Sequence, residues 1–300
     1  MEKISRLLAI ETTDVTGSVA LCEDGEVVET RPLDPRARSA QSLAPALRAV
    51  LNDRDWAPNS VDVVAVTVGP GSFTGLRVGV ATAKMFAWAV NAQIVGVDTL
   101  DAIACSLERP ELLKLTEPCV VSAGVDAQRG DAAIRNYFLA HDAAGTRATA
   151  TPLDERFRIV SLKKWLAVDE SALFVDALDD DAREELRRAL AGVSERDADS
   201  IRTFKMKDVL FAGPALRRVK KLAETYPTAK LVPQEGWDPE ASSVARVAWR
   251  RVRDGSFDDV WNILPVYSRR AAAEEKALAK QQACAAAHKP DNRSCSERTE

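Results

Sequence analysis

The opening of the chain restricts the fold more than any other stretch. "RLLAIETT" followed by "GSVALCEDGEVVETRPL" reads as three short strands, Leu7 to Glu11, Ser18 to Cys22 and Glu26 to Thr30. The last two are joined by Glu23-Asp24-Gly25, whose Asp-Gly pair signals a tight hairpin. In "SAQSLAPALRAVLNDRDW", Leu43, Leu47, Val50 and Leu51 recur at helical spacing, with Ser39 or Ser42 as the candidate N-cap. "VDVVAVTV" is a Val-rich buried strand, "LRVGVATAKMFAWAV" a helix, and "AQIVGVDTLDAIACSLE" a further strand and helix. The order βββαβαβα places the chain among α/β folds.

Two prolines in "ERPELLKLTEPC" interrupt this pattern near residue 110, and "VVSAGVDAQRGDAAIRNYFL" then repeats the opening in outline. An apolar run, an acid (Asp126), a polar turn with a glycine and a second strand ending at Tyr137 and Phe138 follow one another as they do in "LLAIETTDVTGSVAL". "VAVTVGPGSFTGLR" and "DVLFAGPALRRVKKL" also correspond, each running from an apolar strand through Gly-Pro into a helix. A duplicated lobe is expected, divided as 1–108, 109–270 and a tail at 271–300. Asp176 to Ser200 is charge-rich, with Leu186 and Leu190 at i,i+4, and reads as a solvated helix; the polar end of the tail reads as disordered.

The segment "VTVGPGSFTGLRVGVATAKMFAWAV" carries four glycines in its turn and helix start. A strand leading through a glycine turn (Gly69, Pro70, Gly71, Ser72) into a helix is a general anion-binding geometry. Both familiar phosphate motifs nevertheless fail: no lysine follows Gly75, and the third glycine falls one place late for a dinucleotide fingerprint. Within the helix, Gly75, Gly79, Ala83 and Ala87 recur every four residues, so another element can approach one side closely. That element is either the protein's own sheet or a second subunit, with Arg77 at the rim. Glu11, Thr12 and Thr13 end the first strand and Asp126 occupies the matching bend of the second half, so these four are candidates for a nucleotide cleft.

Several chemistries lack their residues. The chain has two histidines, His141 and His288, and neither a His-x-x-x-His metal site nor a Ser-His-Asp set can be assembled from them. No metal site and no catalytic residue are assigned. Five scattered cysteines without CxxC spacing argue for a reducing compartment, with Cys22 and Cys119 read as core residues. Forty-one basic against forty-five acidic side chains give no general nucleic-acid surface. No apolar run approaches the length of a membrane span, and a cytoplasmic protein is expected.

Taken together, "LLAIETT", "GPGSFTGLRVG", "GVDTLDAIA", "VDAQRGD" and "PVYSRR" resemble the TsaB (YeaZ) family, with gaps, from about residue 6 to about residue 270. The resemblance implies an actin/hexokinase-like fold of two related α/β lobes with mixed sheets. It also implies a non-catalytic subunit that pairs with TsaD, the enzyme that transfers threonylcarbamoyl to N6 of the tRNA adenosine beside the anticodon, and with it the ATPase TsaE. The chain would form a homodimer when TsaD is absent and would reach tRNA through the complex. It would have no cofactor of its own, ATP and metal belonging to its partners. The helix matching the metal-binding His-x-x-x-His helix of TsaD reads "ARSAQSLAPAL" here, without histidine. Many TsaB sequences carry a histidine where Arg38 precedes Ser39.

The resemblance favours the subunit-contact reading of the glycine helix, with Gly75, Leu76, Arg77, Gly79, Val80 and Ala83 as the contact stripe. On that reading Gly79→Arg abolishes pairing without unfolding. The rival is an ATP-dependent small-molecule kinase or ATPase of the same superfold, with Glu11 and Asp126 around magnesium. Peptidase activity is a third possibility, disfavoured by the missing histidines.

Overall fold

The computed structural model describes residues 4–14, 16–37, 39–113, 118–141, 148–167, 209–219 and 221–269. Arg38, the 176–200 segment and the 271–300 tail lie outside them.

Strands β1 (Arg6–Glu11), β2 (Ser18–Glu23) and β3 (Glu26–Pro32) form the antiparallel meander, with Glu11 opposite Ser18 and Arg6 opposite Glu23. Helix α1 (Ser39–Asp53) then leads to β4 (Val63–Gly69), which lies parallel to β1, and α2 (Phe73–Val90) leads to β5 (Gln93–Asp98) on the far side of β4. The sheet order is β3-β2-β1-β4-β5. Ser39 opens α1, and the alternative cap Ser42 sits inside it, buried, with its helix turn already formed.

Helix α3 (Thr99–Ser106) connects to the second sheet. There β6 (Cys119–Asp126), β7 (Asp131–His141) and β8 (Ala148–Pro152) form another antiparallel meander, and β9 (Arg158–Ser161) also pairs with β7. After α4 (Leu162–Leu166), β10 (Val209–Ala212) lies parallel to β6; α5 (Leu222–Thr225) and β11 (Lys230–Leu231) complete the order β8-β7-β6-β10-β11. Position for position this is the arrangement of the first sheet. The duplicated two-lobe α/β architecture implied by the resemblance is therefore present. β7 runs three residues beyond Phe138, and Pro214 opens a short 3-10 turn to Arg218 rather than the expected α-helix.

The chain then returns to its starting lobe. Helix α6 (Ala241–Arg253) lays Ala241, Val244, Ala245 and Ala248 on the face of the first sheet formed by Leu7, Ala9, Val63 and Ala65. The opposite face, Leu8, Ile10, Val64 and Val66, packs against α1 and α2 through Leu43, Leu47, Val80 and Ala83. The alternation along β1 and β4 thus buries both faces of the central strands, as period-two geometry requires of a sheet between two helical layers. The second lobe, expected to run to residue 270, in fact yields its last stretch to the first. Met1–Ser268 form one compact unit, and Arg269–Glu300 make up a second.

Candidate functional site

Two surfaces collect the residues singled out in the sequence: the cleft between the lobes and helix α2.

The cleft encloses about 980 Å³ and is lined by Thr13, Gly71 and Ser72 from the first lobe and by Asp126, Arg217 and Asp238 across from them. Its rim is tied by arginines. Arg217 Nη1 donates to Asp14 Oδ2 at 3.1 Å and to Asp238 Oδ1 at 2.5 Å, while its Nη2 donates to Asp238 Oδ2 at 2.7 Å. Arg218 donates to Asp126 Oδ2 at 2.7 Å, and the Gln128 amide donates to Asp126 Oδ1 at 2.9 Å. The short turn at Pro214–Arg218 supplies both arginines.

Of the four cleft candidates, Thr13 and Asp126 line the cavity together. Thr12 does not; it is buried, and its hydroxyl donates to the Gly75 carbonyl of α2 at 2.8 Å. Glu11 is fully buried at the end of β1, where its Oε1 accepts from the Thr13 amide and hydroxyl and its Oε2 has no partner. Burial raises its pKa to about 8, against the lowering effect of the Thr13 hydrogen bonds, and Asp14 and Asp238 push it further up. Burial thus favours the protonated form near neutral pH. Glu11 is buried away from the cleft lining, whereas Asp126 lines it and is held by Arg218. Among the described residues, no three His, Cys, Asp or Glu side chains are grouped to hold a metal.

Helix α2 begins at the glycine turn, with Ser72 Oγ accepting from the Gly75 amide at 3.4 Å. The small-residue stripe lies on its inner side. Gly75, Leu76, Gly79, Val80, Ala83 and Ala87 are all buried. A methyl on Gly75 would stand 1.8 Å from the Thr12 carbonyl oxygen, and one on Gly79 would stand 2.2 Å from the Thr12 hydroxyl. The stripe therefore serves the protein's own packing, and only Arg77 of the expected contact residues is exposed. The absence of side chains at these two positions lets α2 settle against the end of β1.

The outward side carries what the sequence reading passed over. Phe73, Met85 and Trp88 are exposed there, Met85 by 62% and Trp88 by 59%. Beside them, Trp261, Leu264 and Val266 are exposed as well. These six are all but one of the large exposed apolar side chains among the described residues, the other being Ile159. Their spacing on α2, opposite the glycines, was the available signal.

The family model described as TsaD: tRNA N6-adenosine threonylcarbamoyltransferase matches residues 31–277. The chain belongs to this family, on its TsaB (YeaZ) branch. Among curated proteins it is similar to the tRNA threonylcarbamoyladenosine biosynthesis protein TsaB of Bacillus subtilis, 34% identical over 33% of this chain and 44% of that one. The TsaB of Escherichia coli is 32% identical over 42% of this chain and 52% of its own length. The chain spans about half the length of the curated relatives it matches. In fold it is similar to YeaZ from Pseudomonas aeruginosa, with a TM-score of 0.61 at 22% identity, covering 88% of this chain and 99% of that one. No helix among the described residues is long and apolar enough to cross a membrane.

Proposed function

We propose that the chain is a non-catalytic subunit in the formation of threonylcarbamoyladenosine in tRNA, pairing with a TsaD-type protein through the outward face of α2. The observation that carries this reading is the exposed apolar face itself: Phe73, Met85 and Trp88 on one side of a helix whose other side is anchored in the core. Contiguous apolar surface of this kind marks an interaction site, and aromatic residues supply much of the binding energy at such sites. The names of the curated relatives place them in this biosynthesis. Glu11, buried and absent from the cleft lining, and the arginine-bound Asp126 support a chain that leaves chemistry, ATP and metal to its partners. TsaE would join through TsaD, tRNA would be met by the assembled complex in the cytoplasm, and a homodimer would use the same face when TsaD is absent.

Light scattering of the purified chain, alone and mixed with the TsaD-type protein of the same cell, tests this. A one-to-one complex is expected. Trp88→Glu should weaken it at least ~30-fold, the effect of removing a central aromatic anchor worth about 2 kcal/mol. Because Trp88 is exposed, the unfolding temperature should hold. Failure to associate at any concentration, with or without nucleotide, would overturn the reading.

A further inference from the structure

Resting on the α2 reading, we infer that residues 261–267 form the second wall of the same docking surface, shaped for an amphipathic partner helix flanked by acidic side chains.

After α6 the chain crosses back over the first lobe and is fastened along α2. The Asp258 amide donates to the Ile94 carbonyl at 2.9 Å, and the Val266 amide to the Val68 carbonyl at 2.6 Å. Lys84 Nζ reaches from α2 to the carbonyls of Trp261 and Ile263, at 2.9 and 3.2 Å. At the other end the Tyr267 ring stacks on Phe73, with centroids 4.8 Å apart. The segment thus runs antiparallel to α2 from Lys84 back to Phe73, roughly 16 Å or about three helical turns. Ile263 is turned into the core, whereas Trp261 is 66% and Leu264 67% exposed. A segment held at both ends and along its middle, yet directing its tryptophan and leucine outward, presents them on a fixed support.

The charges indicate the occupant. Helix α2 contains two charged residues, Arg77 and Lys84, and no acid. Lys84 is engaged with the segment's carbonyls, while Arg77 lies exposed over the Phe73 ring at 5.2 Å. Before Trp261, Asp258 accepts from the Gly96 amide and Arg251, whereas Asp259 is exposed, its Oδ1 accepting from the amides of Trp261 and Asn262. The Phe73 end of the surface is therefore apolar with Arg77 at its rim, and an acidic side chain on the incoming helix completes it there.

The test is titration calorimetry of the full chain with the purified TsaD-type protein, at about 0.1 M and about 0.5 M salt, between which the screening length shortens roughly twofold. Trp261→Ser with Leu264→Ser should weaken binding at least about tenfold at an unchanged unfolding temperature. Arg77→Glu should weaken it and flatten its salt dependence. If Trp88→Glu weakens binding while the double variant binds as the parent does, the second wall is overturned and the α2 reading stands. If none of the three changes alters binding, both fall. A salt-independent parent complex would overturn the acidic-flanked helix.

Discussion

Gly79→Arg is expected to unfold the first lobe, not to yield a folded protein that has lost a contact. A single methyl at this position would already stand 2.2 Å from the Thr12 hydroxyl, which itself donates to the Gly75 carbonyl. An arginine adds a long side chain and a buried unpaired charge to a contact with no spare volume. Overpacking alone costs about 1–3 kcal/mol, and a desolvated charge adds several more, so the sum is comparable with the ~5–15 kcal/mol that hold a domain folded. Gly75→Ala should be severe for the same reason, because its methyl would meet the Thr12 carbonyl oxygen at 1.8 Å and backbone cannot swing aside as a side-chain tip can. Arg77→Ala, two residues from each, should change stability by less than about 1 kcal/mol, since Arg77 is exposed. Thermal unfolding with circular dichroism checks all three. A Gly79→Arg protein that melts like the parent would show that the inner stripe is not packed as described.

A large pH effect is expected at Glu11. Its pKa rises from an ordinary 4.5 to about 8 on folding, chiefly through burial. The folded state holds the proton more tightly than the unfolded chain does. Stability linked to this group is therefore full below about pH 4.5 and is lost as pH climbs towards 8, at up to about 1.4 kcal/mol per pH unit. By pH 7 the loss is on the order of 3 kcal/mol. Glu11→Gln keeps the shape and has no charge to bury, so its stability should exceed the parent's increasingly between pH 5 and pH 8. Asp98, raised to about 7 by burial and by Asp101, titrates in the same direction in both proteins, so the difference between them isolates Glu11. Urea unfolding across that range is the measurement. Parallel curves for parent and variant would mean that Glu11 is ionised in the folded state.

Much of the fold was legible because its determinants are local. The Asp24-Gly25 turn, the Val-rich run at Val63–Gly69 and the spacing of Leu43 and Leu47 each specify an element without reference to the rest of the chain. The return of α6 and residues 257–267 to the first lobe was not legible, because which sheet a helix covers is decided by packing between distant residues such as Ala245 and Ala9.

The side of α2 that faces outward was misjudged for a related reason. Helix α2 carries large apolar residues on both sides, so their periodicity alone names no inner face. Gly75 and Gly79 announce a close approach without saying to what, and the approaching group proved to be Thr12 of the same lobe. The larger residues Met85 and Trp88 lie outward because the tight inner contact has no room for them. At the cleft, Thr13 and Asp126 were found from the repeated strand-turn pattern, whereas the burial of Glu11 beneath Thr13 depends on how the turn folds over it.

The most direct test of the pairing surface is site-specific photo-crosslinking of the folded chain in the presence of the TsaD-type protein. One probe replaces Met85 on the outward face of α2, and a control probe replaces the exposed Ile159 on β9. Crosslinks to the partner from position 85 and none from position 159 are predicted. Efficient capture from 159 with none from 85 would contradict α2 as the pairing surface.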